Sequence, residues 1–218
     1  MTNSKVRASI RYLVPSGEKP IYIASRGGAD AALKIGADFE DREVTIHDAR
    51  RLTPPASLDR QGFSLQQHAT RVEDFYALET IQEDYNAEII ELVLSATGGS
   101  EALVFDHTLR SDSPDIRGER TLREPASVIH NDYTDASAQK RLRDLLPTEE
   151  AEERVQHRYA IVNVWRSIKD PVINSPLACC DAATIAAEDL VASERRARER
   201  VGELELVSWN PAHQWYYY

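Results

Sequence analysis

VEDFYALETIQEDYNAEIIELVLSATGGSEALVFDHTL, residues 72–109, decides the fold class. Its first part repeats apolar side chains at Phe75, Leu78, Ile81, Tyr85, Ile89, Leu92 and Val93, three and four residues apart. That is the period of one helix face and predicts a helix over 72–96, closed by Gly98-Gly99. Directly afterwards Ala102, Leu103, Val104 and Phe105 form a short apolar run that predicts a buried strand within 101–109. The chain has changed from helix to sheet in a single step.

Upstream, residues 6–14 and 21–24 read as two strands around the turn Pro15-Ser16-Gly17, an N-terminal hairpin. Residues 39–62 read as mostly irregular around one strand at 44–47. The first 57 residues are therefore predicted to be a hairpin followed by an irregular region. Downstream, 110–123 is rich in Ser, Asp, Pro, Gly and Arg and reads as a loop, and 125–133 as a strand. Thr134 or Asp135 caps a helix to about Leu145, and Pro147 opens an acidic helical turn. Residues 159–168 read as a second buried strand, 177–180 as a short one, and 186–200 as a charged helix or loop, with 195–200 its solvated face. Residues 204–209 and 213–218 alternate like strands. No repeat or linker divides the chain, so residues 1–218 are expected to form a single domain. Its class is mainly β with flanking helices (α+β), closed as a barrel or jelly roll.

With 218 residues the chain can bury a core without staples. Its 26 basic against 36 acidic residues, a formal charge of −10, disfavour nucleic acid or an anionic membrane as main partner. The two cysteines, Cys179 and Cys180, are adjacent, which argues against a disulfide framework and for a reducing compartment. No window approaches eighteen apolar residues and the first eleven carry no apolar core, so a cytoplasmic protein without a membrane span is expected.

His130 and Asp132, in Val128-Ile129-His130-Asn131-Asp132-Tyr133, stand two apart and project from one face of an extended strand. An imidazole and a carboxylate so placed are two thirds of the facial arrangement that holds non-haem Fe(II) with open positions. A strand-end histidine bonded to a neighbouring acid has the same spacing, and both readings stand. His107, beside Asp106, is a competing candidate whose plainer reading is a satisfied core or edge residue. Arg110, Arg141 and Arg166 are candidates to grip a carboxylate bidentately, or to form internal ion pairs. The G-x-S-x-G elbow, the phosphate loop, H-E-x-x-H and C-x-x-C are all missing from the sequence.

Five ordered blocks together resemble one family: LDRQGFSLQQHATRVEDFY from Leu58, ALVFDHTLR from Ala102, REPASVIHNDYTDASAQKR from Arg123, IVNVWRSIKDPVINSPLACCDA from Ile161 and SWNPAHQWYYY from Ser208. They resemble the hydroxylase/desaturase proteins of fungal and bacterial secondary metabolism, which include gibberellin desaturase and the small component of the cephem methoxylase system. The matching core is 58–218.

The resemblance implies a double-stranded β-helix oxygenase that uses Fe(II), 2-oxoglutarate and dioxygen to hydroxylate or desaturate a small-molecule natural product. His130 and Asp132 match the family's metal-binding His-x-Asp. Relatives continue past the Trp-Tyr-Tyr block, in a stretch that carries their distal iron-binding His and 2-oxoglutarate-anchoring Arg, so the core is expected to lack its C-terminal strands. His213 is then the in-chain candidate for a third ligand, with Arg166 and Arg141 as candidates for the co-substrate carboxylate. The rival expectation is a non-catalytic relative acting as a binding or partner subunit, and a protein partner or homo-oligomer is carried with either reading.

Overall fold

A computed structural model describes residues 4–29, 34–169, 171–197 and 201–218. Its strands are β1 (Lys5–Leu13), β2 (Ile21–Ile23), β3 (Lys34–Gly36), β4 (Phe39–Asp48), β5 (His130–Asn131), β6 (Cys179–Cys180), β7 (Leu190–Arg196), β8 (Val201–Val207) and β9 (Trp215–Tyr217). Four α-helices accompany them: α1 (Leu78–Thr97), α2 (Pro114–Arg120), α3 (Asp135–Leu145) and α4 (Thr148–Arg154). The strands form two mixed sheets, β1-β4-β9-β6 and β3-β2-β7-β8-β5. A bridge between Leu13 and Ser208 ties one sheet to the other.

The core follows from strand alternation. On β1, Ala8, Ile10 and Tyr12 turn inward beside Val44 and Ile46 of β4, with Val207 and Trp215 completing the cluster. The opposite face carries Arg11 directly across from Asp41, joined by two hydrogen bonds of 3.0 and 3.1 Å. A second cluster, Leu13, Val128, Leu204 and Leu206, lies under β8. The third gathers Phe75, Tyr85 and Ile89 from the α1 stripe.

The helix expected from residue 72 begins at Leu78, after a 3-10 turn at Phe75–Ala77, and ends at Gly98, which adopts φ 69°. Glycine carries the left-handed turn there at no steric cost. Thr134 caps α3, its hydroxyl accepting from the Ser137 amide while the Ser137 hydroxyl caps the Thr134 amide in return.

Several expectations are corrected. The two N-terminal strands form no hairpin: β1 pairs with β4 over nine residues, whereas β2 lies in the other sheet between β3 and β7. The long apolar face of β1 finds a matching face on β4 that a three-residue β2 cannot offer. The stretch after residue 39 is consequently a ten-residue strand, not irregular chain. Residues 101–109 run extended without entering a ladder; Val104 packs against the α1 cluster instead. Residues 159–168 are likewise extended outside any ladder, with Val162, Val164 and Trp165 exposed. Of 125–133 only His130–Asn131 is strand, paired to β8. The 110–123 loop contains α2. The charged stretch from 186 is neither helix nor loop along most of its length but strand β7, in which alternate residues Val191, Ser193 and Arg195 share one face. Residues 198–200 of that charge run lie outside the described residues. Among the described residues no helix is long and apolar enough to cross a membrane.

Candidate metal centre

His130 opens β5 opposite Leu206, so a fully buried residue near the end of β8 fixes the backbone from which the imidazole projects. Its Nδ1 donates to the Val128 carbonyl at 2.9 Å. That bond commits the Nδ1 proton and leaves Nε2 as the nitrogen open to a neighbour, the usual way a protein sets a ligating tautomer. Nε2 lies 3.4 Å from Oδ1 of Asp132. The other carboxylate oxygen, Oδ2, accepts from the side-chain amide of Asn163 at 2.7 Å.

The electrostatics follow the geometry. Burial pushes the His130 imidazolium down, but the bonds to Asp132 and the Val128 carbonyl outweigh it, and the net shift is upward. The Asp132 carboxyl is pulled down to about 2, first by the bond to His130 and against burial, with Asn163 and the charge of Arg195 adding to the effect. It is an anion at any physiological pH. Asp132, Asn163, Tyr133, His157, Arg158 and Tyr159 line an open cleft of about 420 Å³, within the ordinary range for small-molecule sites. The Tyr22 ring lies 6.4 Å from the His130 ring.

Once Nε2 gives up its proton, an imidazole nitrogen and a carboxylate oxygen this close, each already held by a backbone or amide partner, fit two positions of a divalent metal. The structure does not bring the third sequence candidate to them. His213 is fully buried elsewhere: its Nε2 donates to Asp189 Oδ2 at 3.0 Å, and its Nδ1 lies 3.4 Å from the Tyr12 hydroxyl. Tyr12 also accepts from Trp215 Nε1 at 2.8 Å, and burial pushes its own ionisation up to about 12, so the hydroxyl stays protonated and can donate to His213. Both ring nitrogens of His213 are thus engaged. Among the described residues no three His, Cys, Asp or Glu side chains stand close enough together to hold a metal ion.

The remaining candidates are placed as follows. His107 bonds Asn86 on α1 at 2.7 Å. Arg141 stacks over Phe105 at 4.5 Å and Arg166 over Phe75 at 5.1 Å, and the Nε of each is buried with no hydrogen-bond partner. Arg110 donates to the Glu124 carbonyl at 2.7 Å. Sequence reasoning missed Asn163, although a signal was there: it is the one polar residue in Ala160-Ile161-Val162-Asn163-Val164-Trp165. Asp189, which receives four hydrogen bonds from Ala186, Asn210 and His213, left no such mark.

The family profile described as "YDMC: Oxidoreductase/YMDC permease-like domain" matches residues 10–218. The chain belongs to the YDMC family. Among curated proteins, this YDMC chain is 29% identical over 201 residues to a hydroxylase/desaturase, efuI, of Hormonema carpetanum, covering 82% of this chain and 67% of the relative. It is 30% identical over 198 residues to the hydroxylase/desaturase CTB9 of Cercospora beticola, covering 79% and 60%. A third relative is the Fe(II)/2-oxoglutarate-dependent dioxygenase nvfI of Aspergillus novofumigatus, 30% identical over 190 residues, covering 83% and 66%. The chain thus spans about two thirds of the length of these relatives. The hydroxylase/desaturase resemblance read from the five sequence blocks is borne out. A solved structure of the iron and alpha-ketoglutarate-dependent endoperoxidase NvfI superposes with a TM-score of 0.78 at 22% identity, covering 99% of this YDMC chain and 80% of that one. The chain therefore shares its β-rich fold with that structure.

Proposed function

We propose that the chain is an Fe(II)- and 2-oxoglutarate-dependent oxygenase that hydroxylates or desaturates a small-molecule natural product, in one domain built on a double-stranded β-helix. The observation that carries this reading is the His130–Asp132 pair: Nε2 and Oδ1 3.4 Å apart, beside a cleft, with Val128 and Asn163 fixing the two side chains from behind. The names of the relatives supply the metal and the co-substrate. We place the protein in the cytoplasm because both cysteines are free and burial pushes Cys180 up to about 11, away from thiolate chemistry.

His130 Nε2 and Asp132 Oδ1 would hold the metal, leaving its other positions to co-substrate and solvent. Bound there, iron supplies oxidation by dioxygen: 2-oxoglutarate loses carbon dioxide and becomes succinate, one oxygen atom entering succinate and the other the hydroxylated product, or water when the substrate gives up two hydrogens. The chain's own residues do the rest. Val128 holds the imidazole in one tautomer, Asn163 keeps the carboxylate turned toward it, and Tyr133, Tyr159 and His157 bound the space in which a substrate carbon can sit. Purified protein should bind Mn(II) at one site and form succinate from 2-oxoglutarate with Fe(II) under air. His130→Ala and Asp132→Ala should abolish both; unchanged metal affinity in both variants would remove the assignment.

A second reading, a non-catalytic partner subunit, draws on the apolar side chains that segment 162–177 leaves exposed, among them Trp165 and, at 85% exposure, Ile173. Succinate formation by the isolated, monomeric chain would exclude it.

A further inference from the structure

Segment 159–167 runs extended from the cleft past the metal pair, so its side chains alternate between two sides. Tyr159, Ile161 and Asn163 line the cleft, and Asn163 bonds Asp132. The other side meets helix α1: Arg166 lies over the Phe75 ring at 5.1 Å, and Ile168, just past the segment, packs against the same cluster. Trp165 belongs with the odd-numbered set and is the next residue in the row that begins at Tyr159, about 7 Å of extended chain beyond Asn163. An indole thus stands on the side of the segment that carries the metal pair.

The three tryptophans differ in what holds them. Trp215 is 4% exposed and donates its Nε1 proton to the Tyr12 hydroxyl. Trp209 meets the Tyr12 ring edge-on at 5.0 Å and has the Arg42 guanidinium over its own ring at 5.5 Å. Trp165 is 52% exposed, and among the described residues it has neither a ring neighbour nor a hydrogen bond. About half of a large apolar ring is left to water, a cost that a ligand with an apolar face would recover. The cleft beside it offers an anion little to hold. Its one lining arginine, Arg158, leans at 3.4 Å on Asp59, which lies outside the lining. The charge of Asp132 is likewise already engaged, by His130 and Asn163.

We infer that Trp165 is a specificity-determining residue: in line with Asn163, its indole forms the far wall of the substrate site and stacks against an uncharged, ring-bearing compound whose reacting carbon lies over the His130–Asp132 pair. That this compound is the one oxidised rests on the oxygenase reading; the contact with Trp165 needs no metal.

The test uses 2-naphthol, a flat ring compound uncharged at neutral pH, as the probe. It is titrated by calorimetry into wild type, Trp165→Ala, Trp165→Phe and Ile173→Ser, with and without Mn(II). Trp165→Ala should raise the dissociation constant roughly fivefold or more, and Trp165→Phe should recover part of the loss. Ile173→Ser removes a more exposed apolar side chain outside the row and should change nothing. Bound Mn(II) should broaden the proton resonances of the probe, which places the ring beside the metal pair. No binding of 2-naphthol by wild type, an unchanged dissociation constant in Trp165→Ala, an equal loss in Ile173→Ser, or binding to the Mn(II)-loaded protein without broadening overturns the inference. If Trp165→Ala does not fold, Trp165→Phe and Trp165→Leu carry the test, the ring of Phe retaining more affinity than the equally apolar Leu. A protein that binds the probe through Trp165 but takes up no Mn(II) would sink the metal reading and leave the Trp165 contact standing.

Discussion

Asn163 donates its amide to the Asp132 oxygen that does not face His130, across 31 positions of sequence and 2.7 Å of space. One oxygen is thereby left to a metal and the other is held. Replacing Asn163 by Ala removes that hold, so the carboxyl should become a weaker acid and swing more freely. Loss of such an outer partner typically lowers metal affinity roughly 10–100-fold. Asn163 is exposed, so stability should move by less than about 0.5 kcal/mol. Mn(II) titration followed by electron paramagnetic resonance, beside urea unfolding, checks both halves.

The opposite pattern is expected at His213. Its ring bridges Asp189 and Tyr12 inside the core formed by Trp215, Val44 and Val207. His213→Ala strips Asp189 of one donor and leaves a hole beside stacked Tyr12, whose ring centroid is 5.7 Å away. We expect a loss of about 2–4 kcal/mol, the sum of a buried charge-assisted hydrogen bond and lost packing. Mn(II) affinity should not change. A metal affinity that fell with His213 while unfolding stayed put would instead make it a ligand.

These two residues also mark what could be read from the sequence. The His130–Asp132 pair was legible because its two residues stand only two apart in sequence, although Asp132 lies in a bend just past β5. Helix α1 was legible because its stripe is local and Gly98 ends it. Asp189 and Asn163 meet their partners through tertiary contact, which no short spacing encodes. Segments 101–109 and 159–168 misled for a related reason: apolar, β-favouring composition reports fitness for a half-buried surface and does not name a ladder partner. Strand β7 was hidden by Glu194-Arg195-Arg196, charges that suit a solvated helix equally well until the pairing with β2 and β8 turns Arg195 inward.

Glu88 on α1 gives a prediction in pH. Its carboxylate accepts from Thr70 Oγ1 at 2.6 Å, the Arg71 amide at 3.0 Å and Arg71 Nε at 3.1 Å, clamping residues 70–72 to the helix. The Thr70 bond, then the Arg71 amide, hold its pKa at about 2 against an ordinary 4.5. A lowered folded pKa contributes stability above the unfolded value and loses it as pH falls through the folded one. The contribution is therefore full above about pH 4.5 and fades towards pH 2. Because Arg71 is largely solvated, screening reduces it to roughly 1–2 kcal/mol. Glu88→Gln should be less stable than wild type by that amount at pH 6 and converge on it near pH 2, read from urea midpoints across the range.

Gly27 offers a test of the turn that supports Arg123. It adopts φ +82°, and a Cβ there would meet the Thr121 carbonyl oxygen at 2.5 Å and that of Leu122 at 2.9 Å. Both are backbone atoms, and Leu122 O already accepts from the Gly28 amide, so the neighbour cannot yield without opening the contact. Gly27→Ala should cost about 2–4 kcal/mol, combining left-handed strain with the clash. Gly17 is the control: its φ is +81°, but nothing lies within 4 Å of its added Cβ. Gly17→Ala should cost only the conformational part, about 1–2 kcal/mol. If the two variants unfold at the same urea midpoint, the 24–28 turn is not packed on 121–122 in solution.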